Sequence, residues 1–159
     1  LKWLLNRMGL TLNEEKTKRT DARKNPFNFL GFTIRYSIDL FNKMNRYWAI
    51  IPSAKSEKKI REKIRDYLGK HGHSSAKDIA YGLNSIIRGW LNYFDIKGVS
   101  YAAMGKRRLR YYLTTKLNRY YNRKSQRKSR LYGHGAFGVL VSRYGLIDPI
   151  KYNTQTRPL

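Results

Sequence analysis

The hydrophobic pattern from Ser75 to Phe94 predicts an amphipathic helix. Its apolar residues recur at the i, i+3, i+4 and i+7 spacing of one buried helical face: Ile79, Leu83, Ile86, Ile87, Trp90, Leu91 and Phe94. The opposite face carries a row of charged, amide and aromatic side chains: Lys77, Tyr81, Asn84, Arg88 and Asn92. Such a row suits a sugar–phosphate backbone, and we predict that it binds nucleic acid, with Arg88 as the best single RNA contact. The alternative is an ordinary amphipathic helix with a solvated back.

Two glycines lie together on the flank of this helix. Gly82 and Gly89 are seven residues apart. A glycine inside a helix costs about 1 kcal/mol relative to alanine. Two glycines on one stripe predict that another group approaches the helix closely there.

Two further helical patterns flank this segment. After Pro52, a helix that is N-capped by Ser53 or Ser56 would bury Ile60, Ile64, Tyr67 and Leu68. Ser75 with Asp78 resembles a capping box at the start of the central helix. Ser100 is predicted to cap a third helix, whose buried stripe is Leu109, Leu113, Leu117, Tyr120 and Tyr121. Three helices with short links predict a small bundle.

The rest of the chain gives weaker patterns. Residues 1–9 predict the last turns of a helix, with Trp3, Leu4 and Met8 as core candidates and Gly9 as its C-cap. Residues 27–36 predict one strand, in which Gly31 marks a bulge or a close backbone approach. Residues 46–51 predict its antiparallel partner. Residues 131–159 are rich in glycine and tyrosine and predict a mostly irregular tail.

The charge of the chain points to a polyanionic partner. The 159 residues include 34 lysines and arginines against 10 acidic residues, a net charge of +24, which is the footprint of nucleic-acid binding. Between Asp95 and Asp148 there is no acidic residue. The third helix supplies further candidate contacts: Arg107, Arg108, Lys116, Arg119 and Arg123, with tyrosines between them. A solvated basic face is the alternative. A membrane surface is disfavoured, because no run of about 18 apolar residues exists.

The chain offers no conventional metal or disulfide site. It has no cysteine, and His71, His73 and His134 are too scattered to indicate a metal centre. We therefore expect no cofactor bound to this chain.

Three stretches, in this order, resemble the C-terminal half of a group II intron reverse transcriptase/maturase. Residues 9–17 (GLTLNEEKT) look like the palm motif that follows the catalytic strands, and residues 29–32 (FLGF) look like the primer-gripping hairpin. Residues 52–94, with IIRGW at 86–90 and NYF at 92–94, look like the thumb, also called the maturase domain. The resemblance implies an α+β, mainly α fold: the end of a palm with a β-hairpin over residues 1–52, a three-helix thumb over 53–130, and an irregular basic extension over 131–159.

The resemblance also implies a function. The thumb would grip the RNA template with its DNA primer and would dock intron RNA, aiding splicing and retrohoming, in contact with the rest of the reverse transcriptase. Lys16 matches a lysine near the family's nucleotide site, and Gly31 would let a primer backbone pass close to the sheet. A plain surface lysine and a glycine needed only for folding are the alternatives. The expected localisation is cytoplasmic and nucleic-acid associated.

The resemblance shows what is missing as well. The family's polymerase site clusters aspartates that hold Mg²⁺, whereas the aspartates of this chain are scattered singly. We expect the chain to start just downstream of that motif and to be inactive as a polymerase on its own, with Mg²⁺ needed by the full-length enzyme. The cysteine- and histidine-rich pattern of an endonuclease domain is also missing.

Three other interpretations stay open at this point. The chain could belong to a reverse transcriptase that is not intron-borne, such as a CRISPR-associated one. It could also be a non-enzymatic basic RNA-binding protein. A helix-turn-helix DNA reader is loosely compatible with the link at residues 69–74, although few cations point outward from its recognition helix.

Overall fold

The computed structural model describes residues 2–9, 11, 20–39, 42–123, 129 and 131–153. The described elements are α1 (Lys2–Arg7), β1 (Phe27–Phe29), β2 (Phe32–Ile38), β3 (Arg46–Pro52), α2 (Ala54–Lys70), α3 (Ala76–Phe94), α4 (Ala103–Arg123) and α5 (Ala136–Tyr144). The strands form an antiparallel sheet of order β1-β2-β3. The predicted α+β, mainly helical class is confirmed.

The segment predicted as a single strand is two strands joined by a tight turn. Leu30 and Gly31 have φ angles of 47° and 82°, as a two-residue hairpin turn with positive φ at both positions requires. The predicted bulge is therefore wrong. The predicted close approach is right, but it comes from the protein itself: a Cβ at Gly31 would lie 2.9 Å from Oγ of Ser56 and 3.3 Å from Cζ of Phe94.

This turn fastens the sheet to the helices. The Ser56 hydroxyl donates a hydrogen bond to the Gly31 carbonyl over 2.8 Å, and the Tyr93 hydroxyl donates to the Leu30 carbonyl over 2.9 Å. The second hairpin is confirmed, since β2 pairs with β3 from Phe32↔Pro52 to Ile38↔Arg46. These two hydrogen bonds hold the sheet against the start of α2 and the end of α3.

Serine caps begin two of the bundle helices as predicted. Ser53 accepts a hydrogen bond from the amide of Ser56 at the start of α2, and Ser75 accepts one from the amide of Asp78 at the start of α3, both over 3.2 Å. The predicted cap of the third helix is wrong. Ser100 donates to the Phe94 carbonyl over 2.6 Å and so closes the end of α3, and α4 begins three residues later.

The core follows the predicted stripes of α2, α3 and α4. Ile64, Leu83 and Leu113 are fully buried, and Trp90 is 8% exposed. Ile86, Tyr67 and Tyr120, which the spacing also placed in the core, are only partly buried at its edge. Burial of these side chains stabilises the bundle, because each fully buried leucine or isoleucine contributes about 1.5–3 kcal/mol to the free energy of folding.

The two glycines of α3 have different surroundings. The ring of Tyr67 occupies the space that a Cβ at Gly82 would need, and its hydroxyl donates to the Asp78 carbonyl over 3.2 Å. A Cβ at Gly89 would meet no atom of the residues that the structure describes within 4 Å. The predicted close approach is therefore confirmed at Gly82 and stays a prediction at Gly89.

Residues 136–144 of the C-terminal segment form a helix, where a mostly irregular tail was predicted. In α5, Ala136, Phe137 and Leu140 are buried against α3 and α4. Gly135 and Gly145 bound the helix in left-handed conformation. Because the helix is only nine residues long and lies between glycines, its pattern in the sequence is too short to separate from a loop.

The helix at the N-terminus was predicted correctly, but its core residues were not. Gly9 follows α1 with φ of +71°, consistent with the predicted C-cap. Trp3, Leu4 and Met8 are more than half exposed in the described structure. Helical spacing shows which side chains share a face, and it does not show what covers that face.

Candidate nucleic-acid interface

A groove of about 930 Å³ runs between α2 and α4 and gathers basic and aromatic side chains. Seven of the described residues that line it are cationic: Arg61, Arg65, Arg107, Arg108, Lys116, Arg119 and Arg123. No acidic residue is among these described lining residues. Concentrated charge of one sign in a cleft raises the local potential and attracts the opposite charge.

Helical periodicity explains how α4 builds its side of the groove. Residues four apart lie above one another on a helix, so the groove-facing residues of α4 form two rows. The inner row, next to α2, is Arg108, Tyr112, Lys116 and Tyr120. The outer row is Arg107, Tyr111, Thr115, Arg119 and Arg123.

The tyrosines of the inner row hold α4 to α2. The Tyr112 hydroxyl donates to the Arg61 carbonyl over 3.0 Å, and the Tyr120 hydroxyl donates to the His71 carbonyl over 3.0 Å. Burial raises the pKa of Tyr112 above its usual 10.0, although Arg65 and Arg61 lower it in part. The hydroxyl therefore stays protonated and able to donate at neutral pH.

Acidic partners lie mainly on the other side of α4. Lys106 pairs with Asp95 over 2.7 Å and Arg110 with Asp148 over 3.1 Å, and neither cation lines the groove. Of the groove cations, Arg108 pairs with Glu57 over 3.1 Å and Arg65 with Asp66 over 3.3 Å, although neither acidic residue lines the groove. The other five groove cations form no ion pair with any residue that the structure describes, so their charge is available to a ligand.

The structure brings together the candidate residues of α4 but not those of α3. Arg107, Arg108, Lys116, Arg119 and Arg123 all line the groove. Lys77, Tyr81 and Arg88 are exposed on α3, outside it. Their contact with nucleic acid stays a prediction.

Asn84 and Asn92 do not lie on an open face as predicted, because the C-terminal segment covers them. Asn84 donates to the Gly145 carbonyl over 2.9 Å and accepts from the amide of Ile147 over 2.8 Å. Asn92 accepts from the Tyr152 hydroxyl over 3.1 Å. The two amides thus hold the segment after α5 against α3.

Replacing Asn84 with alanine is expected to lower the free energy of unfolding by about 1–3 kcal/mol. The reason is that the backbone carbonyl of Gly145 and the backbone amide of Ile147 would lose their hydrogen-bond partner. RNA affinity should change little at temperatures where the variant is folded. Urea unfolding and an RNA titration of the same protein would measure both. A loss of RNA affinity with unchanged stability would instead support the original prediction of a direct contact.

Two of the predicted nucleic-acid-binding residues remain, Gly31 and Lys16. Gly31 lies with Gly89 in a second groove of about 490 Å³ between α2, α3 and the β1–β2 turn, where Lys59 and Lys63 are also lining residues. Lys16 lies outside the described residues. Sequence reasoning missed Arg61 and Arg65, although their spacing of four places both beside the buried stripe of α2.

Neither a metal centre nor a membrane span is found in the described part of the chain. It contains no group of three or more histidine, aspartate or glutamate residues that could hold a metal ion. None of its helices has the length and apolar character needed to cross a membrane.

Comparison with known protein families gives a match over the helical bundle. Residues 57–135 match the model of the group II intron, maturase-specific domain, a stretch that contains most of α2 and all of α3 and α4, and so both sides of the groove. A search of the curated proteins finds no significant match. Residues 57–135 of the chain therefore carry the maturase-specific domain of the group II intron maturase family.

Proposed function

We propose that this chain is the RNA-binding portion of a group II intron-type reverse transcriptase and that the α2/α4 groove receives the backbone of the intron RNA. One observation carries the proposal: seven cations and no acidic residue are among the described residues lining a groove inside the family-matched segment. A patch of this kind is the electrostatic footprint of a nucleic-acid partner.

The binding would be mainly electrostatic and geometric. Successive residues of one row rise about 6 Å along α4, so a row presents cations at regular intervals to a phosphate chain. Each phosphate neutralised releases condensed counterions, which drives association at low salt. Tyr112 and Tyr120 join α2 to α4, so the two helices that carry these cations are already in position before RNA arrives, which reduces the entropy lost on binding.

In the parent enzyme this portion would position RNA rather than carry out chemistry. It would grip the primer–template duplex during reverse transcription and hold intron RNA during splicing and retrohoming. The Mg²⁺-dependent step would belong to aspartates elsewhere in the parent enzyme, and we assign no step of it to this chain. The family match supports the maturase role, and the charge of the groove supports contact with RNA.

The first test is binding of the protein to a structured group II intron RNA and to a length-matched DNA duplex across a salt series. We expect a preference for the RNA that persists at about 150 mM salt. If about 6–10 phosphates are engaged, affinity should fall by about 10³–10⁵ between about 50 and 200 mM salt. Equal affinity for both nucleic acids that vanishes with salt would contradict the proposal and indicate only a generally basic surface.

A further inference from the structure

One tyrosine of the α2/α4 groove differs from the other two in what it can offer a ligand. The hydroxyls of Tyr112 and Tyr120 donate to carbonyls of the neighbouring segment, and both rings are partly buried in the packing. Tyr111, in the outer row, is 76% exposed, and no hydrogen bond joins it to the residues that the structure describes. A large aromatic ring is thus left open to solvent within a cationic groove.

The neighbours of Tyr111 define what would bind there. Arg107 lies one turn before it and Arg119 two turns after it in the same row, and Thr115 lies between Tyr111 and Arg119. A base placed on the ring would therefore have cations within reach of the phosphates on either side of it. Stacking on a side chain needs a base whose π-face is free. Bases inside a continuous duplex stack on one another, whereas unpaired bases in loops and bulges can stack on aromatic side chains.

We infer that Tyr111 is a stacking platform for an unpaired RNA base and that the groove selects a looped or single-stranded segment over a continuous duplex. The inference rests on the proposed RNA-binding function of the same groove. The groove cations supply the sequence-independent affinity, and the Tyr111 ring supplies the preference for unpaired RNA. Every base has a π-face, so the stacking contact itself would tolerate any sequence.

The test compares two RNAs that carry the same number of phosphates, a stem–loop and a blunt-ended duplex. Tyr111→Ala should weaken binding of the stem–loop roughly 5- to 150-fold, the effect of losing one base–aromatic stack, and binding of the duplex less than about twofold. The salt dependence of binding should not change, because no charge is removed. Tyr111→Phe should bind both RNAs like the wild type.

Two further variants control for folding and for general loss of an aromatic ring. Tyr111→Leu keeps apolar bulk and good helix propensity but lacks a π-face, and it should behave like Tyr111→Ala. Tyr144→Ala removes an exposed tyrosine of α5, outside the groove, and should leave both affinities unchanged. Circular dichroism would show that all variants keep their helices, as the exposure of Tyr111 predicts.

The outcomes separate this inference from the function on which it rests. Equal losses on the two RNAs, or wild-type binding of the stem–loop by Tyr111→Ala, would overturn the stacking role. A loss in Tyr111→Phe as large as in Tyr111→Ala would also overturn it, because the contact would then be the hydroxyl to a phosphate. Failure of the proposed function would show earlier, as a wild-type protein without preference for RNA over DNA.

Discussion

Replacing Arg107, Lys116 and Arg119 with glutamine is expected to lower the affinity for structured RNA roughly 100-fold at about 150 mM salt. All three side chains line the α2/α4 groove, and none forms an ion pair with a described residue. Each phosphate contact contributes about 0.7–0.9 to the slope of log affinity against log salt. The slope should therefore become shallower by about 2–3, which a salt series by fluorescence anisotropy would measure.

A matched variant distinguishes this groove from the general charge of the protein. Replacing Lys43, Lys55 and Lys97 with glutamine removes the same charge from exposed positions outside the groove. Its salt slope should stay close to that of the wild type. If both triple variants lose the same affinity and the same slope, the binding charge is spread over the surface, and the groove has no special part in it.

Replacing Phe137 with alanine should lower the free energy of unfolding by about 3–5 kcal/mol. Phe137 is 6% exposed and packs in the core between α5 and the bundle, with the Arg110 guanidinium 5.9 Å from its ring centre. Truncation would leave a cavity under α5 and would remove this contact. Urea unfolding followed by circular dichroism measures the change.

The Phe137 variant tests whether the segment after the family-matched domain is part of the same folded unit. Tyr144→Ala, at the exposed end of α5, serves as the control and should cost less than about 1 kcal/mol. If Phe137→Ala is no more destabilising than this control, α5 does not complete the core. The sequence-based expectation of an irregular tail would then be the better description.

The elements that sequence reasoning predicted well are those with long, regular patterns. Leu83, Ile87 and Leu91 belong to a helix of 19 residues, whose apolar spacing repeats often enough to be unambiguous. Ser53 and Ser75 precede helices as caps, and their role depends only on neighbours a few residues away. Local chemistry decides such features, so the sequence contains them.

The features that were missed depend on contacts between distant segments. Asn84 has the polar character of a solvated face, and only the packing of residues 145–147 shows that it binds their backbone. The turn at Leu30 was hidden because a leucine with positive φ is uncommon, and the fused strands looked continuous. A short helix such as α5 likewise becomes recognisable only when α3 and α4 cover its apolar side.

The candidate interface was predicted in part for the same reason. The basic residues of α4 are recognisable from composition and from the lack of acidic residues around them. Arg61 and Arg65 lie opposite these residues across the groove because α2 packs on α4. The periodicity of each helix alone does not predict this packing. Lys106 and Arg110 form ion pairs with Asp95 and Asp148. Only the tertiary structure distinguishes these two paired cations from the cations of the groove.

The most direct test of this account is to map the RNA contact on the protein by NMR. Isotope-labelled protein would be titrated with a structured group II intron RNA, and the shifts of the backbone amides would be followed residue by residue. We predict the largest shifts along the α2/α4 groove, at Arg61, Arg65, Tyr111 and Arg119, with little change in α5. Large shifts in the sheet or in α5, with the groove unchanged, would contradict the assignment of this groove as the RNA interface.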